Sequence, residues 1–164
     1  MQRFALIFLV PTIALFLGCD RARTFTDAEG NRTTVTTDNE TAEITVEGEE
    51  GGEAQIALGD AGVPLPEELP EDVPILTDAK VIGTTVSSEG IMMVLETATE
   101  SEAIMQFYEE ELQNNAWEIM DTTRIPQGAF LTANKGEDRN VNVSIGEGDE
   151  GRAIITLIID EPAN

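Results

Sequence analysis

The sequence predicts an α+β fold: one helix packed on an antiparallel sheet in the order ββαββββ, preceded by a Thr/Glu/Gly-rich stalk with candidate short strands. Three observations lead there. Only residues 99–115 carry apolar side chains at helical spacing, with Ile104, Phe107, Tyr108 and Leu112 on one stripe. The segments on either side alternate or run apolar over strand lengths and are separated by Gly, Pro, Asn and Ser. Aromatic residues are only 5% of the chain, so its core must be built mainly from Val, Ile, Leu and Met.

Residues 1–18 come first. One positive charge, Arg3, precedes an apolar run over 4–17 that is interrupted by Pro11 and Thr12 and followed by Gly18. This is the layout of a secretory signal, and it is shorter than the roughly 20 apolar residues of a membrane span. The run Leu15-Phe16-Leu17-Gly18-Cys19 resembles the bacterial lipobox, in which a small residue precedes a lipidated cysteine. Phe16 departs from the usual Leu. The resemblance implies cleavage before Cys19 and lipid on that cysteine. The chain would then be lipid-anchored in the cell envelope, on the outer side of the cytoplasmic membrane or the periplasmic face of either membrane.

Residues 19–62 are acidic and rich in Thr and Gly. Val35, Ile44/Val46 and Ile56/Leu58 sit on alternating patterns divided by Asp38-Asn39 and the glycines of 48–52. With so few apolar residues the segment cannot bury a core of its own, and it reads as a stalk or a β-ribbon. Residues 63–77 form a strap punctuated by Pro64, Pro66, Pro70 and Pro74, which hold the backbone extended.

Residues 78–160 are expected to fold as the α+β domain. Segments 79–86 and 91–97 read as strands joined at Ser87-Ser88-Glu89-Gly90. Thr99 can cap the helix, Glu102 can complete a capping box, and Asn115 can take the left-handed turn that ends it. Segments 117–122 and 129–134 meet across Pro126-Gln127-Gly128. Val141, Val143 and Ile145 alternate with Asn140, Asn142 and Ser144. Segment 153–159 is almost wholly apolar and reads as a central strand covered on both faces. One helix cannot cover both faces of such a sheet.

The run Leu69-Pro70-Glu71-Asp72-Val73-Pro74-Ile75, followed by Ala79-Lys80-Val81 and by Phe107-Tyr108, Leu112 and Ala116-Trp117, resembles small bacterial lipoproteins of undetermined function over residues 64–160. Ala116 stands where that family usually has Gly. The resemblance implies no activity.

Charge and composition narrow the function. The formal net charge is −23, and removing residues 1–18 takes away only Arg3, which leaves the chain one unit more negative. Such a chain repels phosphate backbones, so nucleic acid is excluded as a partner. There is no histidine and a single cysteine, which removes the commonest general base, the commonest zinc ligand and any intrachain disulfide. No nucleophile–base arrangement of recognisable spacing occurs, so no catalytic residue, enzyme activity or cofactor is expected. The acidic, glycine-rich run 146–151 places Glu147, Asp149 and Glu150 as calcium candidates, although it also reads as a solvated hairpin turn. Phe107, Tyr108 and Trp117 read as core or as a ligand platform, and Met92 and Met93 as strand packing or an adaptable surface. Two functions fit: a non-catalytic envelope module that binds or assembles with a protein partner, and a small-ligand or calcium-binding envelope protein.

Overall fold

The computed structural model describes residues 21–27, 30–38, 40–48 and 52–160. The predicted leader and the Cys19 anchor lie outside the described residues. The strands are β1 (Arg21–Thr26), β2 (Arg32–Thr37), β3 (Thr41–Glu47), β4 (Glu53–Gly59), β5 (Lys80–Ser87), β6 (Gly90–Thr97), β7 (Glu118–Ile125), β8 (Gly128–Lys135), β9 (Arg139–Glu147) and β10 (Ala153–Asp160), with helix α1 (Ser101–Asn114) between β6 and β7. All ten strands join one antiparallel sheet in the order β1-β2-β3-β4-β5-β6-β10-β9-β8-β7.

This corrects the expected fold class. The molecule is sheet-dominated, with β1–β4 continuing the sheet where the α+β reading placed a stalk or a ribbon outside the domain. The join is the β4–β5 ladder, from Ala54↔Ser87 to Leu58↔Gly83. The physical reason is that β1–β4 need no core of their own. The backbone edge of β5 supplies hydrogen-bonding partners, and the sparse alternating residues Val35, Ile44 and Ile56 fall in one cross-strand row that continues to Thr85, Met92 and Ile158.

One side of the sheet carries the core. Met93, Leu95, Ile155, Leu157 and Ile159 from β6 and β10 pack with Val141, Val143, Ile145, Leu131 and Ala133 from β9 and β8, and α1 lays Ile104, Met105, Tyr108 and Leu112 onto them. Each such large side chain contributes about 1.5–3 kcal/mol by leaving water. A bulge between Val81 and Gly83 shifts the alternation of β5, so that Val81 and Thr84 are both buried. Arg124 on β7 ties the sheet to α1 through Glu109 at 3.1 Å and Glu102 at 3.4 Å. β10 is central but not covered on both faces: Ile158 is 41% exposed on the opposite, open side, beside Met92 of β6.

Both helix ends differ from expectation. Glu100 occupies the N-cap without a side-chain hydrogen bond. The Thr99 hydroxyl instead donates to Asp78 at 2.7 Å, so tertiary bonding draws it away from the cap. At the other end Asn115 stays right-handed, with φ −88°, and Ala116 takes the left-handed conformation, with φ 63°. The Trp117 N–H donates to the Leu112 carbonyl at 2.9 Å and the Ala116 N–H to that of Gln113 at 3.0 Å, a Schellman ending. A left-handed alanine is strained by its Cβ, which glycine lacks. Ala116→Gly should therefore raise stability by about 1 kcal/mol, read as a higher midpoint in denaturant. A loss of stability would refute the strain.

Candidate binding site

The strap between β4 and β5 shapes the helix side of the sheet. Val63 donates its N–H to the Val81 carbonyl at 2.8 Å, which lays the start of the strap along β5. Val63 and Val73 are buried in the core, and Leu69, Ile75 and Leu76 pack against it. Short turns bring the Leu69 N–H to the Pro66 carbonyl and the Val73 N–H to that of Pro70. The Tyr108 hydroxyl is buried with no partner in hydrogen-bond geometry, the backbone amide of Leu76 lying within electrostatic reach. Burial pushes its pKa up.

Asp72 fastens the strap. Its carboxylate accepts two hydrogen bonds from Arg139 at 2.8 Å and one from Lys135 at 2.6 Å, and its backbone carbonyl accepts the Trp117 indole N–H at 3.0 Å. Lys135 also donates to the Asn115 carbonyl at 2.8 Å. The Arg139 guanidinium lies 4.9 Å and the Lys135 ammonium 5.9 Å from the Trp117 ring centroid. The latch thus joins the strap, the exit of α1 and the β8–β9 hairpin. The Arg139 hydrogen bonds hold the Asp72 carboxyl well below the usual carboxylate range against the opposing effect of burial, with Lys135 adding to them.

Beyond the latch, the strap stands over a groove of about 390 Å³. Pro64, Leu65, Pro66, Glu67 and Glu68 form one wall, and Glu43, Thr45, Gln55, Ala57, Thr84 and Val86 of β3, β4 and β5 contribute to the floor. Three carboxylates and, among the described residues, no lysine or arginine line it. The volume falls within the range of small-molecule sites, roughly 300–1,000 Å³. The space between α1 and the sheet is filled instead: Met93, Leu95, Ile104, Met105, Leu112 and Leu157 have no exposed surface.

The other sequence-predicted residues separate. Cys19 lies outside the described residues. Glu147 ends β9, and Asp149 and Glu150 form a short 3-10 turn, with Glu150 at φ 57° and its carboxylate 3.7 Å from Arg152. Among the described residues no group of three or more Asp, Glu or Cys side chains is set to hold a metal ion. Tyr108 and Trp117 are core residues, Phe107 packs edge-on to Tyr108 with centroids 5.1 Å apart, Met93 is buried and Met92 lies exposed on the open face. The groove was not anticipated. Its floor residues lie in the segment read as a stalk and in β5, and only the alternation of Glu43, Thr45, Gln55 and Ala57 with apolar neighbours hinted at a second sheet side.

A family model described as START domain-like matches residues 77–151. The match runs from just before β5 through α1 to just before β10. It covers less than half the chain and leaves out β1–β4 and most of the strap. No curated protein and no solved structure matches the chain.

The latch sets a pH dependence. The folded-state pKa of Asp72 is depressed, so its stabilisation is complete above the unfolded value of about 4 and is lost as pH falls below it. Asp72→Asn should cost about 2–3 kcal/mol at neutral pH, the scale of charge-assisted hydrogen bonds lost from a half-buried site. It should also flatten the loss of stability below about pH 4. Denaturant titrations at neutral and acid pH check both. An unchanged neutral-pH midpoint would contradict the latch.

Proposed function

We propose that this is a lipid-anchored protein of the cell envelope, held by Cys19, whose folded part is a non-catalytic binding module that takes its partner in the groove between the strap and β3–β5. The observation that carries the reading is the groove itself: preformed, walled by a latched strap and lined by Glu43, Glu67 and Glu68 with no base. Such a lining disfavours acidic partners and suits a neutral or basic segment of an envelope protein. The signal-like leader and Gly18-Cys19 support the anchor. The absence of histidine and of any activated nucleophile in the sequence supports a binding role over a catalytic one.

A second reading puts a small molecule in the same groove. The START domain-like match favours it, since that match points to a ligand-binding domain, and so does the groove volume.

Site-specific photo-crosslinking in the native envelope separates these readings. A crosslinking residue at Leu65, on the exposed groove wall, should capture one protein. The same residue at Gln106, on the exposed side of α1, should not. Charge reversal by Glu43→Lys with Glu68→Lys should reduce capture at least about tenfold, the effect of about 1.4 kcal/mol. Equal capture at both positions, or capture indifferent to the reversal, would refute the groove as a protein site. No protein at Leu65, together with a saturable melting shift by an envelope metabolite, would establish the small-ligand reading.

A further inference from the structure

We infer that the open face of β1–β4 rests on the membrane to which the chain is anchored, and that the lipid bilayer is its occupant. This rests on the lipid-anchor reading of Cys19. Only Asp20 separates Cys19 from β1. Two residues of extended chain reach about 7 Å at most, so an anchored Cys19 brings the edge of the sheet to the headgroups with no stalk between.

The face turned away from the strap and helix suits that position. The register places Arg23 and Phe25 of β1, Val35 of β2, Ile44 and Val46 of β3, and Ile56 and Leu58 of β4 on this one side. Phe25 is 58% and Leu58 49% exposed. The carboxylates of these strands, Glu43, Glu47 and Glu53, fall on the opposite side in register with Ala57 and Gln55. Glu47 is there paired with Arg32 at 3.6 Å. Strands β1–β4 therefore keep their own carboxylates off this face, Asp38, Glu40 and Asp60 lying at its rim beside Leu58, and β1 itself has two arginines and no acid. Exposed apolar side chains on one side of the sheet, with the strand carboxylates on the other, are the chemistry of an interfacial surface.

The test uses full-length protein purified from membranes in detergent. Intact-mass spectrometry first reads whether Cys19 carries lipid. If it does not, the anchor reading fails on its own, and the only thiol of the chain is then coupled to a maleimide phospholipid so that the face is still tested. The protein is reconstituted into vesicles of phosphatidylcholine and phosphatidylglycerol containing brominated acyl chains. Phe25→Trp is compared with Thr24→Trp, one residue along β1 and on the opposite side. The wild-type signal from buried Trp117 is subtracted, and unchanged melting temperatures confirm that both variants fold. We expect several-fold stronger quenching for Phe25→Trp than for Thr24→Trp. Equal quenching at the two positions, or stronger quenching for Thr24→Trp, would overturn the proposal. So would shielding of Phe25→Trp that needs an added envelope protein, which would make the face a protein interface.

Discussion

The pairing of Asp72 with Arg139 and Lys135 is the contact on which the rest of the structure turns. The ten-stranded sheet has a single helix, and α1 covers only the part built from β6 to β10. The remaining cover on that side is the strap, whose prolines keep it extended and give it little regular hydrogen bonding of its own. Left undocked, it would expose Val63 and Val73 and uncover Val81. One carboxylate facing two cations, with the Trp117 ring beneath them and its indole N–H on the Asp72 carbonyl, fixes the strap near its middle. Because Arg139 and Lys135 sit at the facing ends of β9 and β8, register in that hairpin and the position of the strap are set together.

The strap in turn gives the two sides of the sheet different characters. On one side it walls an acidic groove over β3–β5. On the other, Phe25, Ile44, Ile56, Leu58, Met92 and Ile158 run across strands until Asn142, Asn140 and Asn134 replace them with a hydrogen-bonded amide ladder on β9 and β8, and the carboxylates on this side come from the β6–β10 half, Glu96 and Asp160 among them. In β3 and β4 this sorting is a constraint on the sequence, because Glu43, Glu47 and Glu53 must alternate in phase to fall on the grooved side.

Local chemistry was legible in the sequence, and long-range pairing was not. The stripe Ile104, Tyr108 and Leu112 marked a helix, although Met105 packs inward as well and Phe107 only partly. Pro126-Gln127-Gly128 marked the β7–β8 turn, where a Cβ on Gly128 would strike the Ile145 carbonyl oxygen. Thr99 and Asn115 misled, since each has the right residue type for a cap but a different partner or conformation in the fold. The larger miss was that β1–β4, read as candidate short strands of a stalk or ribbon, belong to the one sheet. Judged alone, Val35, Ile44 and Ile56 are too few to make a core, and no local signal in 20–62 reveals that β5 offers an edge. The groove inherits the same blindness, as its wall and floor are brought together only by that pairing. Asp72 and Trp117 were visible only as parts of a motif. That they meet was not.

The groove over β3–β5 and the open face of β1–β4 both depend on the sheet being continuous from β1 through to β7, with no stalk. Hydrogen–deuterium exchange of the intact protein, resolved by peptide, tests it directly. The account predicts that amides of β3 and β4 exchange slowly, on the scale of β5, with β1 faster as an edge strand. Exchange of residues 32–59 at the rate of an unfolded chain, with β5–β10 still protected, would contradict it.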